Sequence, residues 1–318
     1  MNKICLVGVG ALGIRHLEGL LKASAALDIT AVDPSQEALA SAQKTAGGHT
    51  VHHVSCSSEM PQGEIDLAII ATTARHRAEA VKKLLASANV RAMILEKILF
   101  TDRESYEKVG SLLKKHGVSA WVNCPLRLMP MRREMRELLA GEPFSMHFNG
   151  GGQYGLMTNI MHYADYASYL ALSSDFEVDT SMLSPDILES KRSGYKELRG
   201  SLVLRFKNGS IALMTTLAHP RPRRTTIAGK AARAIFDEGE NKAWIVDEKS
   251  SWTWKETPAP ILFQSSMTGV LADEILSSGT CALPSYEESA RLHLQILSPI
   301  AAFLKRAGKS SDMEFPFT

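Results

Sequence analysis

Through the first 122 positions of the chain, short apolar runs alternate with segments whose apolar residues recur at helical spacing. KICLVGVG is an apolar run that ends in glycines. ALGIRHLEGLLKAS follows, with Leu12, His16, Leu17, Leu20 and Leu21 on one helical stripe. DITAVDPS predicts a second strand ending at Asp33, and SQEALASAQKTAGG a helix with Ser35 as its N-cap and glycines at its end. HTVHHVS reads as a short edge strand, EIDLAIIATT as a buried strand, RHRAEAVKKLLASA as a helix and VRAMILEK as another buried strand. DRESYEKVGSLLKKHG predicts a helix capped by Asp102 and stopped at Gly117, and VSAWVNC a last strand. Strands alternating with helices mean a parallel sheet with right-handed crossovers.

After Cys124 the pattern changes. PLRLMPMRREMRELLAG predicts a helix, FSMHFNGG a strand, and the segment opening with MTNIMHYADY a longer helix. ELRGSLVLRFKNGSIALMTTLA carries an Asn-Gly turn at Asn208 between two alternating stretches and predicts a hairpin. RTTIAG, ARAIFDE and KAWIVDE continue as strands, and two helices close the chain, around Ser266–Ser277 and Tyr286–Arg306. The second half is therefore α+β with a mostly antiparallel, open sheet. The boundary is expected near Asn123, giving domains 1–122 and 123–318.

Bulk composition narrows the possible partners. A chain of 318 residues, 45% hydrophobic and 22% charged, suits two packed domains. A net charge of +2 calls for neither nucleic acid nor an anionic membrane. Cys5, Cys56, Cys124 and Cys281 lie far apart, which disfavours disulfides and zinc and fits a reducing, cytoplasmic location. His49, His52 and His53 have no carboxylate or cysteine at ligand spacing, so no metal is expected. Lys3 and the apolar run after it imitate a secretion signal, but Arg15, His16 and Glu18 fall where such a signal stays uncharged. No apolar stretch approaches the roughly 20 residues of a membrane span.

Gly8, Gly10 and Gly13 form GVGALG, a GxGxxG that follows a strand and opens a helix, with Asp33 twenty residues after Gly13. That context is the fingerprint of a dinucleotide-binding Rossmann domain. Gly8 permits the tight turn, Gly10 the approach of backbone to pyrophosphate, and Gly13 the close packing of helix on strand. The phosphates would lie on this turn and the helix start, Ala11 and Leu12 included. Asp33 would accept from the adenosine ribose hydroxyls and repel a 2′-phosphate, which favours NAD over NADP. A bound dinucleotide and no cysteine pair argue for hydride transfer to or from a small molecule.

Glu96-Lys97 ends a buried strand of that half, at the edge where parallel sheets bind ligands. A lysine there is either a solvated strand end or a cation aimed at substrate. Farther on, His162 and Asp165 lie three apart on one helical face, with Tyr163 and Tyr166 beside them. By itself this is equally a core histidine with a partner.

In order and spacing, GVGALG, ATTARH (Ala71 to His76), EKI (Glu96 to Ile98) and the helix bearing His162 resemble the glucose–fructose oxidoreductase/inositol dehydrogenase (Gfo/Idh/MocA) family. NCPLRLMP and LPSYEESARLHLQIL extend the resemblance over nearly the whole chain. It implies a nicotinamide-dependent oxidoreductase acting on a sugar or cyclitol hydroxyl. Lys97 would hydrogen-bond the reacting oxygen, and His162 would be the general base in oxidation and the acid in reduction. Glu96 would sit near the nicotinamide ribose or brace Lys97. Thr72 and His76 would lie by the cofactor, with a structural helix-start role for His76 equally open. Asp165 would orient the His162 ring or cap a structural contact. Arg127 would hold an anionic substrate group or pair across the domain junction.

Two positions depart from the family pattern. Ile98 replaces a proline that is often preceded by a cis peptide. A cis bond before a non-proline residue costs about 3 kcal/mol, so a trans or rearranged Lys97–Ile98 peptide is expected. Thr158 stands where the family places an aspartate, followed by Asn159. This pair would orient a substrate hydroxyl without adding charge, and it resembles members associated with bacterial surface sugars. The RPRR run, Arg221 to Arg224, reads as solvated, or as meeting a substrate anion or a neighbouring subunit. Subunit pairing over the second domain's sheet, giving a homo-oligomer, is expected. A non-catalytic dinucleotide-binding regulator of the same fold remains the alternative. Reduction of a linear tetrapyrrole or an imine is a weaker third reading.

Overall fold

The computed structural model describes residues 1–151, 155–219, 222–308 and 311–318. They form two compact units: Met1–Asn123 with Leu262–Glu287, and Cys124–Ile261 with Glu288–Thr318.

The first unit contains β1 (Asn2–Val7), α1 (Ala11–Leu20), β2 (Leu27–Val32), α2 (Gln36–Ala46), β3 (His53–Ser57), β4 (Gly63–Ile70), α3 (Ala74–Ser87), β5 (Ala88–Leu95), α4 (Arg103–Lys115) and β6 (Ser119–Val122). The six strands pair in parallel in the order β3-β2-β1-β4-β5-β6. β4 and β5 end in the unbroken apolar runs that a two-sided buried strand needs. Register aligns the strand ends: Val7 pairs with Val32 and Ile70, Ile70 with Leu95, and Leu95 with Val122. One residue beyond, Gly8, Asp33, Ala71, Glu96 and Asn123 stand side by side along the carboxyl edge, and each donates its N–H to the adjacent strand end.

Leu262–Glu287 returns to this unit after the chain has built the second one. The domain expectation of one boundary near Asn123 did not include that return. Its helix, Gln264–Ser278, packs on α1 through small residues. A Cβ on Gly19 would lie 2.7 Å from the Gln264 carbonyl oxygen, and one on Gly269 would lie 2.5 Å from that of Gly19. Asp273 then accepts from the N–H groups of Ser24 and Ala25 at 2.7 and 2.9 Å.

The second unit opens with a 3₁₀ turn, Pro125–Leu128, followed by α5 (Pro130–Leu139). The single helix expected over PLRLMPMRREMRELLAG is thus broken at Met129, which is extended (φ −70, ψ 128). Pro130 is the cause: its ring disfavours a helical residue before it but suits the first helical position. After α5 come β7 (Phe144–Gly151), α6 (Leu156–Ala171), β8 (Phe176–Asp179) and the two-residue strands β9 (Leu188–Glu189) and β10 (Lys196–Glu197). Then follow β11 (Gly200–Phe206), β12 (Ile211–Leu217), β13 (Arg224–Gly229), β14 (Ala232–Asp237), β15 (Lys242–Asp247) and β16 (Lys255–Pro258). Eight of these strands form one sheet, β16-β15-β14-β13-β7-β12-β11-β8, antiparallel except between β7 and β12. β11 and β12 are the hairpin expected at Asn208, with Gly209 at φ +89 supplying the turn.

Alternation along the strands sorts the two faces of this sheet. Met146 and Phe148 are buried, and Phe148 stacks on Tyr163 of α6 with ring centroids 3.7 Å apart. On the other face His147 and Asn149 are half-buried, Thr226 is exposed, and Ile235 and Trp244 are half-buried. Among the described residues no helix is long and apolar enough to cross a membrane.

Candidate active site

The glycine turn has the geometry its sequence requires. Gly8 has φ +88, and a Cβ there would come within 2.8 Å of the Thr72 backbone nitrogen. A Cβ on Gly13 would lie 1.9 Å from the Gly8 carbonyl oxygen, so α1 starts pressed against the turn. Gly10 differs: a Cβ there would meet nothing within 4 Å. It is the N-cap of α1, and no side chain caps the N–H groups that follow it, those of Ala11, Leu12 and Gly13. Uncapped helix-start donors beside open space are what an anionic pyrophosphate binds.

Asp33 does more than the sequence showed. Its Oδ2 accepts from the Val9 N–H at 2.9 Å and its Oδ1 from the Ser35 N–H at 2.9 Å, tying the glycine turn to the start of α2. A cleft of about 620 Å³ runs beside it, lined among others by Gly8, Asp33, Met60, Thr72 and His76. His76 lies exposed in the first turn of α3. The Thr72 hydroxyl oxygen is buried without a hydrogen-bond partner among the described residues. An open glycine turn, uncapped donors, an acid at the next strand end and an unpaired hydroxyl at the cleft fit a dinucleotide.

At the end of β5 the two neighbouring residues have different surroundings. Glu96 is buried, and its Oε1 meets His16 Nε2 at 2.9 Å and accepts from the Asn123 side-chain amide. His16 Nδ1 in turn lies 3.0 Å from Thr268 Oγ1. Burial alone would raise the Glu96 carboxyl. The hydrogen bond and charge of His16, the Asn123 amide and the Lys97 charge hold it instead at about 2. Glu96 is thus an internal anchor of the first unit, tied to His16 and Asn123. Lys97 is half-buried. The Lys97–Ile98 peptide is cis, contrary to expectation. The expectation used only the intrinsic preference of the peptide. Here Ile98, Leu99 and Phe100 are fully buried, and the guanidinium of Arg77 donates to the carbonyls of Ile98, Leu99 and Thr72.

In the second unit, α6 places His162 half-buried among otherwise buried residues. Asp165 does not serve that ring. Its carboxylate is gripped by Arg127, Nε to Oδ2 at 2.9 Å and Nη2 to Oδ1 at 2.5 Å. Arg127 also donates to Glu288 at 2.8 Å and lies over the Tyr169 ring. Burial works against the Arg127 charge, but Asp165 and Glu288 raise its pKa further above its usual range. Both residues expected at the substrate are therefore engaged with each other inside the second unit.

Thr158 and Asn159 are likewise built into the protein. Thr158 donates its hydroxyl and its N–H to Glu197 Oε2 at 2.8 and 3.0 Å. Asn159 donates to the Gly155 carbonyl at 3.1 Å and accepts from Arg223 at 3.3 Å. Arg223 pairs with Glu238 at 2.8 Å, and Glu238 also meets Arg132 at 2.8 Å and the Tyr163 hydroxyl at 2.5 Å. Arg224 pairs with Asp237 at 2.6 Å. The later part of the RPRR run is thus paired; Arg221 lies outside the described residues. His16, Asn123, Glu197 and Glu238 were missed as site-building residues. Only His16 left a trace, as a polar residue on the buried stripe of α1.

This arrangement defines an NAD(P)-binding oxidoreductase fold. Residues 2–124 match the model of the Gfo/Idh/MocA oxidoreductase family, described as having an NAD-binding Rossmann fold. No curated protein matches the chain. Among solved structures it resembles the UDP-N-acetylglucosamine 3-dehydrogenase GnnA of Acidithiobacillus ferrooxidans, with 13% identity and a TM-score of 0.70 over 93% of this chain and 96% of that one. It also resembles the 3-ketoreductase KijD10 of Actinomadura kijaniata, solved with NADP and TDP-benzene (16%, TM-score 0.66, 92% and 94%). An oxidoreductase of Agrobacterium radiobacter, solved with NAD+, L-tartaric acid and magnesium, aligns at 15% identity and TM-score 0.68 over 92% and 94%. At these identities the likeness establishes the fold. It leaves open the choice between NAD and NADP, since both occur among the neighbours.

Proposed function

We propose that the chain transfers hydride between NAD(H) and a hydroxyl or keto carbon of a sugar, cyclitol or sugar derivative. The observation that carries this reading is the open dinucleotide turn with Lys97 on the same carboxyl edge, immediately after Glu96. Nicotinamide supplies the hydride chemistry when bound. Lys97 is the proposed donor to the reacting oxygen, and His162 the proposed general base in oxidation and acid in reduction. Asp33 supports NAD as the partner, because a second negative charge next to it would be repelled. The sugar-acting neighbours support the substrate class, and a surface-sugar role is the reading we favour within it. A reducing, cytoplasmic setting agrees with four cysteines that form no disulfide among the described residues. We also propose that a second copy of the chain covers the open face of the eight-stranded sheet, where Ile211 and Leu217 are exposed.

The test is calorimetric binding of NAD and NADP, then turnover of polyols and nucleotide sugars by wild type, Lys97→Ala and His162→Ala. Micromolar NAD binding with turnover lost in both variants supports the assignment. NAD binding with no turnover of any such substrate points to a binding protein. Failure to bind either nucleotide sinks the oxidoreductase reading. Sedimentation tests the assembly: a monomer at working concentration rejects it.

A further inference from the structure

We propose that Asn123 is a cofactor-binding residue, its Oδ1 accepting from the N–H of the nicotinamide carboxamide. The inference rests on reading the first unit as an NAD(H) site.

Asn123 directly follows β6, with its backbone N–H on the Leu95 carbonyl at 2.9 Å, and it is 1% exposed. Its side chain has one donor end and one acceptor end. The donor end is on Glu96 Oε1. An ionised carboxylate only accepts, so turning the amide over would set acceptor against acceptor. His16 locks that choice from behind by holding the same Glu96 oxygen at 2.9 Å. Oδ1 is thereby committed to face away from Glu96 as an acceptor, and it is buried with no hydrogen-bond partner among the described residues. Buried acceptors are rarely left so. This one stands on the carboxyl edge of a parallel sheet, beside the strand end that carries Lys97.

Strand order points to the part of the ligand that reaches it. The phosphate turn follows β1, and Asp33, for the adenosine ribose, lies on the β2 side. The other half of the dinucleotide must then run over β4 and β5 toward β6. β6 is three strand spacings from β1, roughly 14 Å. The nicotinamide ribose is attached next to the phosphates; the carboxamide is the far end. It presents an NH₂ donor, the complement of a fixed acceptor.

The test uses the full chain and three nucleotides: NAD, 3-acetylpyridine adenine dinucleotide, which lacks the amide N–H, and nicotinic acid adenine dinucleotide, whose carboxylate only accepts. Calorimetry on wild type is expected to show NAD binding about tenfold or more tighter than either analogue. Asn123→Leu is expected to bring NAD down to the level of the acetylpyridine analogue. Equal binding of NAD and the acetylpyridine analogue by wild type overturns the proposal and leaves Oδ1 to water or a ribose hydroxyl; this comparison needs no variant to fold. A preference for NAD that survives in a folded Asn123→Leu also overturns it. Failure of wild type to bind any of the three rejects the nucleotide reading itself, and this proposal with it.

Discussion

The guanidinium of Arg127 grips the carboxylate of Asp165 through two parallel contacts, and both side chains are buried. Arg127 comes from the 3₁₀ turn before α5 and Asp165 from the middle of α6, so the pair fastens the first turn of the second unit to the helix that carries His162. A planar fork on a carboxylate fixes orientation as well as distance. His162 lies three residues before Asp165 and inherits that fixed helix.

Breaking the pair is expected to cost stability. Removing Arg127 leaves the Asp165 carboxyl buried without its partner, and removing Asp165 leaves the buried Arg127 with Glu288 alone; breaking a buried pair in this way costs up to about 3–5 kcal/mol. Arg127→Met and Asp165→Leu should each lower the urea midpoint strongly. The double variant should lose less than the two losses added, because neither side chain of the pair is then left buried without the other. A single Arg127 variant that keeps its melting midpoint and only raises KM would return Arg127 to the substrate.

Glu197 is the corresponding fastening at the front of α6. Its carboxylate takes the N–H groups of Met157 (2.5 Å), Thr158 (3.0 Å) and Leu198 (2.9 Å) and the Thr158 hydroxyl (2.8 Å). A negative group on uncapped helix-start donors also complements the helix dipole. Glu197→Ala should destabilise by about 2 kcal/mol. Gly155→Ala should destabilise too, since its Cβ would lie 1.9 Å from the Glu197 Cγ. Thermal melting measures both, and NAD binding, a property of the first unit, should be unchanged. An unaltered melt for Glu197→Ala would remove it as a cap.

The elements that could be read from sequence are those whose cause is local. GVGALG places a left-handed residue at Gly8 and presses Gly13 on the Gly8 carbonyl, and these are neighbours in the chain. The buried runs of β4 and β5 and the Asn-Gly turn at Asn208 carry their own signals. Pairings between distant charged residues carry none. Whether Asp165 faces His162 or Arg127 depends on where the turn Pro125–Leu128 lands, and nothing near Asp165 encodes that. Glu197 sits on a two-residue strand without periodicity, so its place at α6 was invisible. The return of Leu262–Glu287 was hidden for a similar reason. Its helix looks like any amphipathic helix, and only Gly19 and Gly269 together explain which surface it packs on.

Acid should unfold the first unit partly through Glu96. Its folded pKa, about 2, lies below the ordinary 4.5. The folded state therefore binds the proton more weakly than the unfolded chain. The resulting stabilisation is complete above the unfolded value and is lost as pH falls from about 4.5 to about 2, with a total of about 3 kcal/mol. Denaturant midpoints measured down this range should fall for wild type and fall less steeply for Glu96→Gln. The variant should start from a lower midpoint at neutral pH, since a neutral amide cannot accept as strongly from His16 and Asn123. Parallel acid slopes for the two proteins would show that Glu96 titrates normally.

The glycines of the phosphate turn separate folding from binding. Gly13→Ala would drive a Cβ to 1.9 Å from the Gly8 carbonyl oxygen, backbone that cannot yield without opening the turn. It should lower the melting temperature and abolish NAD binding together. Gly10→Ala meets no protein atom within 4 Å, so the apo protein should melt as wild type does. The added methyl enters the space proposed for the pyrophosphate, and NAD affinity should fall at least about tenfold, the effect of losing one good ionic hydrogen bond. Melting curves with and without NAD decide the matter. Wild type should rise with nucleotide, Gly10→Ala should stay flat from the same starting point, and Gly13→Ala should begin lower. A Gly10→Ala protein that still gains the full wild-type stabilisation would place the dinucleotide somewhere other than this turn.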